Sequence, residues 1–304
     1  MFRTSIAAAA AIVGLLPLPS GGADGWKVYQ EVRASMVQVV GVTPAGRYHM
    51  GSGVALPNGT IVTNCHVTLG AKRVQLFGSM SGNNASLEAA TVEHDLCALH
   101  FPEVKRTPVM VGESRRLKVG DPVYAIGFNA GNGLTYQSGE VAELFEHDGA
   151  MVIRTTAPFT HGASGGGLFD QNGQLVGILT FFRVAPSGTS YFAVPAEWLE
   201  ALDHAPARDI APLEGLPFWA QSAESQPVFL RAGALEADNR WQELLSVARD
   251  WTQSNPADGQ AWLALAKAEF NAGDRSVARI AYKRALELGV IYPAAAFSID
   301  TEER

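Results

Sequence analysis

Ser164 lies in His161-Gly162-Ala163-Ser164-Gly165-Gly166-Gly167-Leu168. A serine flanked by glycines can be held in a tight turn that a substrate approaches closely. In this spacing the amides of Gly162 and Ser164 can point at one spot, where a carbonyl oxygen turns negative during acyl transfer. A serine hydroxyl is a poor nucleophile until a base withdraws its proton. His66, in Thr60-Ile61-Val62-Thr63-Asn64-Cys65-His66-Val67, is the candidate base and, later, the acid for the leaving amine. Asp95, in His94-Asp95-Leu96-Cys97-Ala98-Leu99, is the candidate orienting acid. An idle carboxylate opening an apolar strand would be unfavourable there. The chemistry these three groups predict is hydrolysis of an amide, with Gly162 and Ser164 forming the oxyanion hole.

The order His, Asp, Ser, with separations of 29 and 69 residues, is that of chymotrypsin-fold proteases. Further stretches carry the same likeness: Gly51-Ser52-Gly53-Val54, Val119-Gly120-Asp121-Pro122-Val123-Tyr124-Ala125-Ile126-Gly127 and Tyr191-Phe192-Ala193-Val194-Pro195. Residues from about 27 to 200 resemble a trypsin-like serine protease of the HtrA (Deg) type. The resemblance implies two six-stranded antiparallel β-barrels with the triad in the cleft between them, and endopeptidase activity with no metal or organic cofactor. It also places Thr180, Phe181 and Phe182 beside the substrate and Ala157-Pro158-Phe159 at the floor of the primary pocket. That floor holds no acid to receive Lys or Arg, so small or medium apolar side chains are expected at the cleavage site. His161 is expected to line the same cleft. The PDZ domain that commonly follows such a protease is not legible here.

The elements needed to position these groups are legible as short β-rich runs. Residues 37–40, 53–56, 60–63, 73–77, 123–126 and 151–155 read as strands. Pro57-Asn58-Gly59-Thr60 and Gln171-Asn172-Gly173-Gln174 read as hairpin turns, because Asn-Gly accepts positive φ. Many short strands with regular turns predict a mainly β barrel or sandwich domain over 27–204, closed by a helix opening at Pro195. Prolines 206, 212 and 217 mark 205–224 as a linker.

Beyond the linker the period becomes helical. Trp262, Leu263, Ala266, Phe270, Gly273, Ala278, Tyr282 and Ala285 fit a 34-residue tetratricopeptide template, and Ala232, Leu235, Ala248 and Pro256 repeat it more weakly. Two tetratricopeptide-like repeats are expected over 225–258 and 259–292, forming a small all-α module, with a tail over 293–304. A helical hairpin packed on the protease is the alternative. Two repeats seldom stand alone, so the module should dock on the protease or on a protein partner, whereas the protease segment should hold its own core.

The chain has 304 residues, 47% apolar and 17% charged, with net charge −7. It can bury a core, and its acidity argues against nucleic acid as a partner; protein or peptide substrates are expected. Arg3, an apolar stretch from Ile6 to Leu18 and small residues before Ala23 predict a secretory leader over 1–23 and an exported, periplasmic or secreted protein without a membrane span after cleavage. Cys65 and Cys97 are the only cysteines. If His66 touches Asp95 these two must be neighbours, as a disulfide or as two buried thiols. Zinc bound by His94, Cys97 and His100 is disfavoured, because residues three apart on a strand face opposite ways. Besides the endopeptidase, a non-catalytic binding or chaperone-like protein built on the protease fold stays open.

Overall fold

The computed structural model describes residues 21–77, 84–102, 104–129, 133–210 and 213–292. Residues 1–20 of the expected leader and the 293–304 tail lie outside them. An opening helix α1 (Gly21–Val32) precedes a six-stranded sheet of β1 (Met36–Val42), β2 (Tyr48–Ala55), β3 (Ile61–Thr63), β4 (Arg73–Leu76), β5 (Ser86–Thr91) and β6 (Leu96–His100). The one-turn helix α2 (Cys65–Thr68) separates β3 from β4. A second set follows: β7 (Pro122–Asn129), β8 (Gly133–His147), β9 (Ala150–Thr155), β10 (Gly167–Asp170), β11 (Leu175–Ala185) and β12 (Gly188–Pro195). Each predicted β run overlaps one of these strands, with ends agreeing to within a residue where a run overshoots. At the two expected hairpins only Gly59 and Gly173 take positive φ, at 84° and 74°. Asn58 serves instead by accepting from the Thr60 amide at 3.1 Å.

The expectation of two closed barrels holds for one half only. The second sheet is a closed barrel in the order β10-β11-β12-β9-β8-β7, whereas the first runs β4-β1-β2-β3-β6-β5 as an open ladder among the described residues. Its edges meet through one isolated bridge, Gln75 to Asn84. β4 is only four residues long, and among the described residues no continuous ladder of strand hydrogen bonds crosses that gap. The open half packs round Val39, Ile61, Val74, Cys97 and Leu99. The closed half packs round Val123, Ile153, Leu168 and Leu179, with Ala157 and Phe159 beneath the serine loop.

After β12, a turn of 3-10 helix leads into α3 (Glu200–His204), and the chain continues to α4 (Val228–Ala237), α5 (Trp241–Ser254), α6 (Gly259–Ala272) and α7 (Arg275–Glu287). Asp258 and Asp274 cap α6 and α7 by accepting from the Gln260 and Val277 amides. Gly273 ends α6 with φ 119°, a conformation glycine adopts without steric penalty. Alanines 261, 264, 266, 268, 278, 281 and 285 are buried, and such small side chains let paired helices approach. No helix among the described residues is long and apolar enough to cross a membrane.

The module is docked on the closed barrel. Phe229 of α4 stacks on Phe145 of β8 with centroids 4.7 Å apart. Arg183 of β11 donates to the Leu230 carbonyl at 2.9 Å and to Gln226 Oε1 at 2.8 Å. Lys267 lies 2.8 Å from Glu236 and 3.9 Å from Glu143. Burial alone would push its ammonium down, but the carboxylates of Glu236 and Glu143 outweigh that and hold it above the usual lysine range. A cavity of about 640 Å³ lies along this seam between the β11–β12 hairpin and α4, and no triad residue lines it. One apolar cluster runs from Tyr124, Ile126 and Phe192 through Trp198 and Phe218 to Leu230, Trp251 and Tyr282. The two clusters described above lie in the protease segment, and this third one is shared: residues before the module and residues within it bury one another.

Candidate active site

Strand β3 ends at Thr63, and the chain turns through Asn64 into α2, which carries His66. The His66 amide donates to Asp95 Oδ1 at 2.8 Å, and its ring Nδ1 lies 2.6 Å from Asp95 Oδ2. Asp95 is fully buried, while the His66 side chain is 28% exposed. A carboxylate accepts only, so the short contact fixes the tautomer with the proton on Nδ1 and leaves Nε2 as the basic atom. Asp95 occupies the turn before β6 with φ 60°, which aspartate tolerates better than most side chains. Its carbonyl is held by the Cys65 amide at 3.1 Å and by Asn64 Nδ2 at 3.0 Å. A disulfide joins Cys65 to Cys97, with Cα atoms 5.0 Å apart. It links the segments carrying His66 and Asp95, and it removes Cys97 from any metal set with His94 and His100.

Ser164 sits on a loop between β9 and β10. The Ala163 amide donates to the Thr160 carbonyl at 3.0 Å, closing a turn in which Gly162 has φ 94°. That positive φ at the third position marks a type II turn and favours glycine. Among the described residues the Gly162 and Ser164 amides donate no hydrogen bond. Two free N–H groups flanking the hydroxyl are what an oxyanion hole requires. Gly165 has φ 85°, and a Cβ there would stand 2.2 Å from the Ser52 carbonyl oxygen. A side chain at Gly165 would push the serine loop off β2.

Ser52 ties this loop to the opposite sheet. Its amide donates to the Ser164 carbonyl at 2.7 Å, and its hydroxyl donates to the Gly162 carbonyl at 2.8 Å. The same hydroxyl accepts from the Phe128 amide at 2.8 Å. Ser52 is fully buried, and the sequence offers only its place in Gly51-Ser52-Gly53-Val54 as a hint of this role.

The remaining expected cleft residues divide. Thr180 is 2% exposed. Its hydroxyl donates to the Ile178 carbonyl at 2.8 Å and accepts from Asn64 at 3.2 Å, so its side chain is structural rather than part of a cleft. The pairing of β11 with β12 shifts at this residue, and such a bulge re-aims the chain. The Thr180 carbonyl does reach the site, accepting from the Ser164 hydroxyl at 3.3 Å. Phe182 meets His161 at 5.2 Å, Phe159 at 6.2 Å and Tyr191 at 6.2 Å between ring centroids. Phe181 stacks instead on Phe192 and Trp219.

Residues 51–178 match the trypsin-like peptidase domain family. A probable periplasmic serine endoprotease DegP-like of Buchnera aphidicola is 34% identical over 178 residues, covering 53% of this chain and 37% of that protein. The periplasmic pH-dependent serine endoprotease DegQ of Escherichia coli is 30% identical over 192 residues, covering 59% and 42%. The chain thus spans well under half the length of these curated relatives. Among solved structures, the HtrA-type protease AlgW with a tripeptide superposes with a TM-score of 0.52 at 26% identity, over 59% of this chain and 62% of that one. The active form of the Rv3671c protease from M. tuberculosis shares the fold, with a TM-score of 0.55 at 19% identity over 69% of this chain and 97% of its own. Residues 51–178 thus resemble a trypsin-like peptidase domain, and the chain is similar in sequence to periplasmic serine endoproteases of the DegP and DegQ kind.

Proposed function

We propose that this protein is an exported serine endopeptidase in which Ser164 attacks the peptide carbonyl, His66 carries the proton and Asp95 orients and stabilises the imidazolium. The observation that carries the reading is the 2.6 Å contact of His66 with Asp95, together with the two unbonded amides of Gly162 and Ser164 flanking the nucleophile. Proton transfer from Ser164 Oγ to His66 Nε2 accompanies attack, and the same proton then passes to the leaving amine. The Gly162 and Ser164 amides meet the tetrahedral oxyanion. A water molecule, deprotonated by His66, releases the acyl group. These steps need no cofactor.

The aromatic cluster of Phe159, Phe182 and Tyr191 supports an apolar primary pocket, so substrates with small or medium apolar residues at the cleavage site fit best. The periplasmic DegP-like and DegQ relatives and a disulfide beside the triad both favour the periplasm, an oxidising compartment. The helical pairs α4–α5 and α6–α7 coincide with the two repeat spans, 225–258 and 259–292. We read them as tetratricopeptide-like repeats that dock on the barrel and recruit protein substrates or partners.

One observation favours the second reading, a binding or chaperone-like protein. Ser164 donates to Thr180 and, among the described residues, forms no hydrogen bond with His66. Labelling with a fluorophosphonate decides between them. The endopeptidase predicts covalent labelling of the native protein that Ser164→Ala abolishes; an unlabelled, folded wild type rejects it in favour of the binding protein.

A further inference from the structure

The segment between barrel and helices, legible in the sequence only as a proline-bearing linker, reaches the triad. Trp219 Nε1 donates to Asp95 Oδ2 at 3.1 Å, the same oxygen that faces His66 Nδ1. The indole stands edge-on to the His66 ring at 5.6 Å and stacks on Phe181 at 5.1 Å. We propose that Trp219 is a positioning residue of the triad, delivered by the docked helical module, so that the active site is complete only when the module is seated. This inference rests on the serine endopeptidase reading and goes beyond it.

The placement of Trp219 is fixed from both sides. Its neighbour Phe218 is 1% exposed, donates its amide to the Glu93 carbonyl at 2.9 Å and packs on Trp198. Gln221 Nε2 bonds the Glu93 carboxylate at 3.0 Å. Gln226 Nε2 donates to the carbonyls of Trp219 and Gln221, each at 3.0 Å, while its Oε1 accepts from Arg183. Arg183 also holds Leu230 at the start of α4. A chain of hydrogen bonds therefore runs from the first turn of the module to the carboxylate that orients the base.

The physical role follows from the burial of Asp95. A buried carboxylate oxygen needs donors, and a neutral indole N–H satisfies Oδ2 without adding charge or admitting water. It pins the carboxylate plane against the imidazole and draws off part of the negative charge on Oδ2. Removing the N–H leaves Oδ2 more negative. That strengthens its hold on protonated His66.

Trp219→Phe keeps an aromatic ring on Phe181 and removes the donor. In the full-length protein we expect kcat on a short peptide to fall about three- to tenfold with KM nearly unchanged. The acidic limb of the kcat/KM profile should move relative to the wild type. The downfield proton resonance of His66 Nδ1 should shift as well. A packing role would move neither the limb nor the resonance. Gln226→Ala, which frees the Trp219 carbonyl and leaves the triad untouched, should produce the same changes at smaller size and decides the question if Trp219→Phe fails to fold. A folded Trp219→Phe protein with wild-type kcat and an unmoved limb overturns the proposal. Wild-type protein that fails to label at Ser164 instead overturns the protease reading beneath it.

Discussion

The Ser164 hydroxyl donates to the Thr180 carbonyl at 3.3 Å. This is a long bond for a hydroxyl donor and is correspondingly weak. Rotation about the serine Cα–Cβ bond would release it. Nucleophile–base contacts in such sites often tighten only when substrate arrives. Ser164→Ala, His66→Ala and Asp95→Asn should each lower peptide hydrolysis by about 10⁴-fold or more, and the Ser164→Ala/His66→Ala double variant should lose little beyond either single one. Additive losses in kcat/KM would show that these residues do not act as a unit.

Ser52 predicts a separate way to impair the site. Ser52→Ala removes the donor to Gly162 and leaves the Phe128 amide without its acceptor. The expected result is a loss of about 1–3 kcal/mol in stability and a fall of about tenfold in kcat as the oxyanion turn loosens. Denaturant unfolding and peptide kinetics on the same sample check both. Unchanged kcat in a destabilised variant would show that the turn holds its shape without Ser52.

Because one core spans the barrel and the helices, a chain ending near Ala205 should behave worse than a severed recruitment module would. It loses Phe218, Trp219 and the Phe229 stack on Phe145. Hydrolysis of short peptides and of proteins should fall together, by about tenfold or more, given the loss of the Asp95 donor and of buried aromatic area. Peptide hydrolysis at the full-length rate, with only protein cleavage impaired, would assign the module to recruitment alone.

His147 makes the same seam sensitive to acid. Its ring lies 5.2 Å from Phe218, 5.8 Å from Trp198 and 6.0 Å from Phe229. Burial lowers its pKa; Asp148 and Glu93 oppose this, and His94 adds to it. As pH falls, the unfolded chain takes up the proton before the folded one does. The stability from neutral His147 is therefore complete above about pH 6.5, the ordinary value, and is lost as pH drops toward the lower folded pKa. Unfolding free energy measured from pH 7.5 down to 5 should decline more steeply in the wild type than in His147→Gln. Parallel declines would place the acid sensitivity elsewhere.

The sequence by itself determined the candidates for the local chemistry, a serine, a histidine and an aspartate, together with the glycines at their turns and the strands between them. Those signals are local because a positive φ at Gly162, a period-two strand or a helix cap depends on neighbouring residues. The cysteine pair was legible as neighbours but not as a bond, since proximity does not fix side-chain geometry. Ser52, Asn64 and Trp219 were not legible as site residues, nor was the withdrawal of the Thr180 side chain into the interior. Ser52 acts on Gly162 across 110 positions and Trp219 on Asp95 across 124. No periodicity records a contact at that range. Tertiary structure decided those roles, because a buried carboxylate takes its donor from whichever chain segment the shared apolar core brings against it.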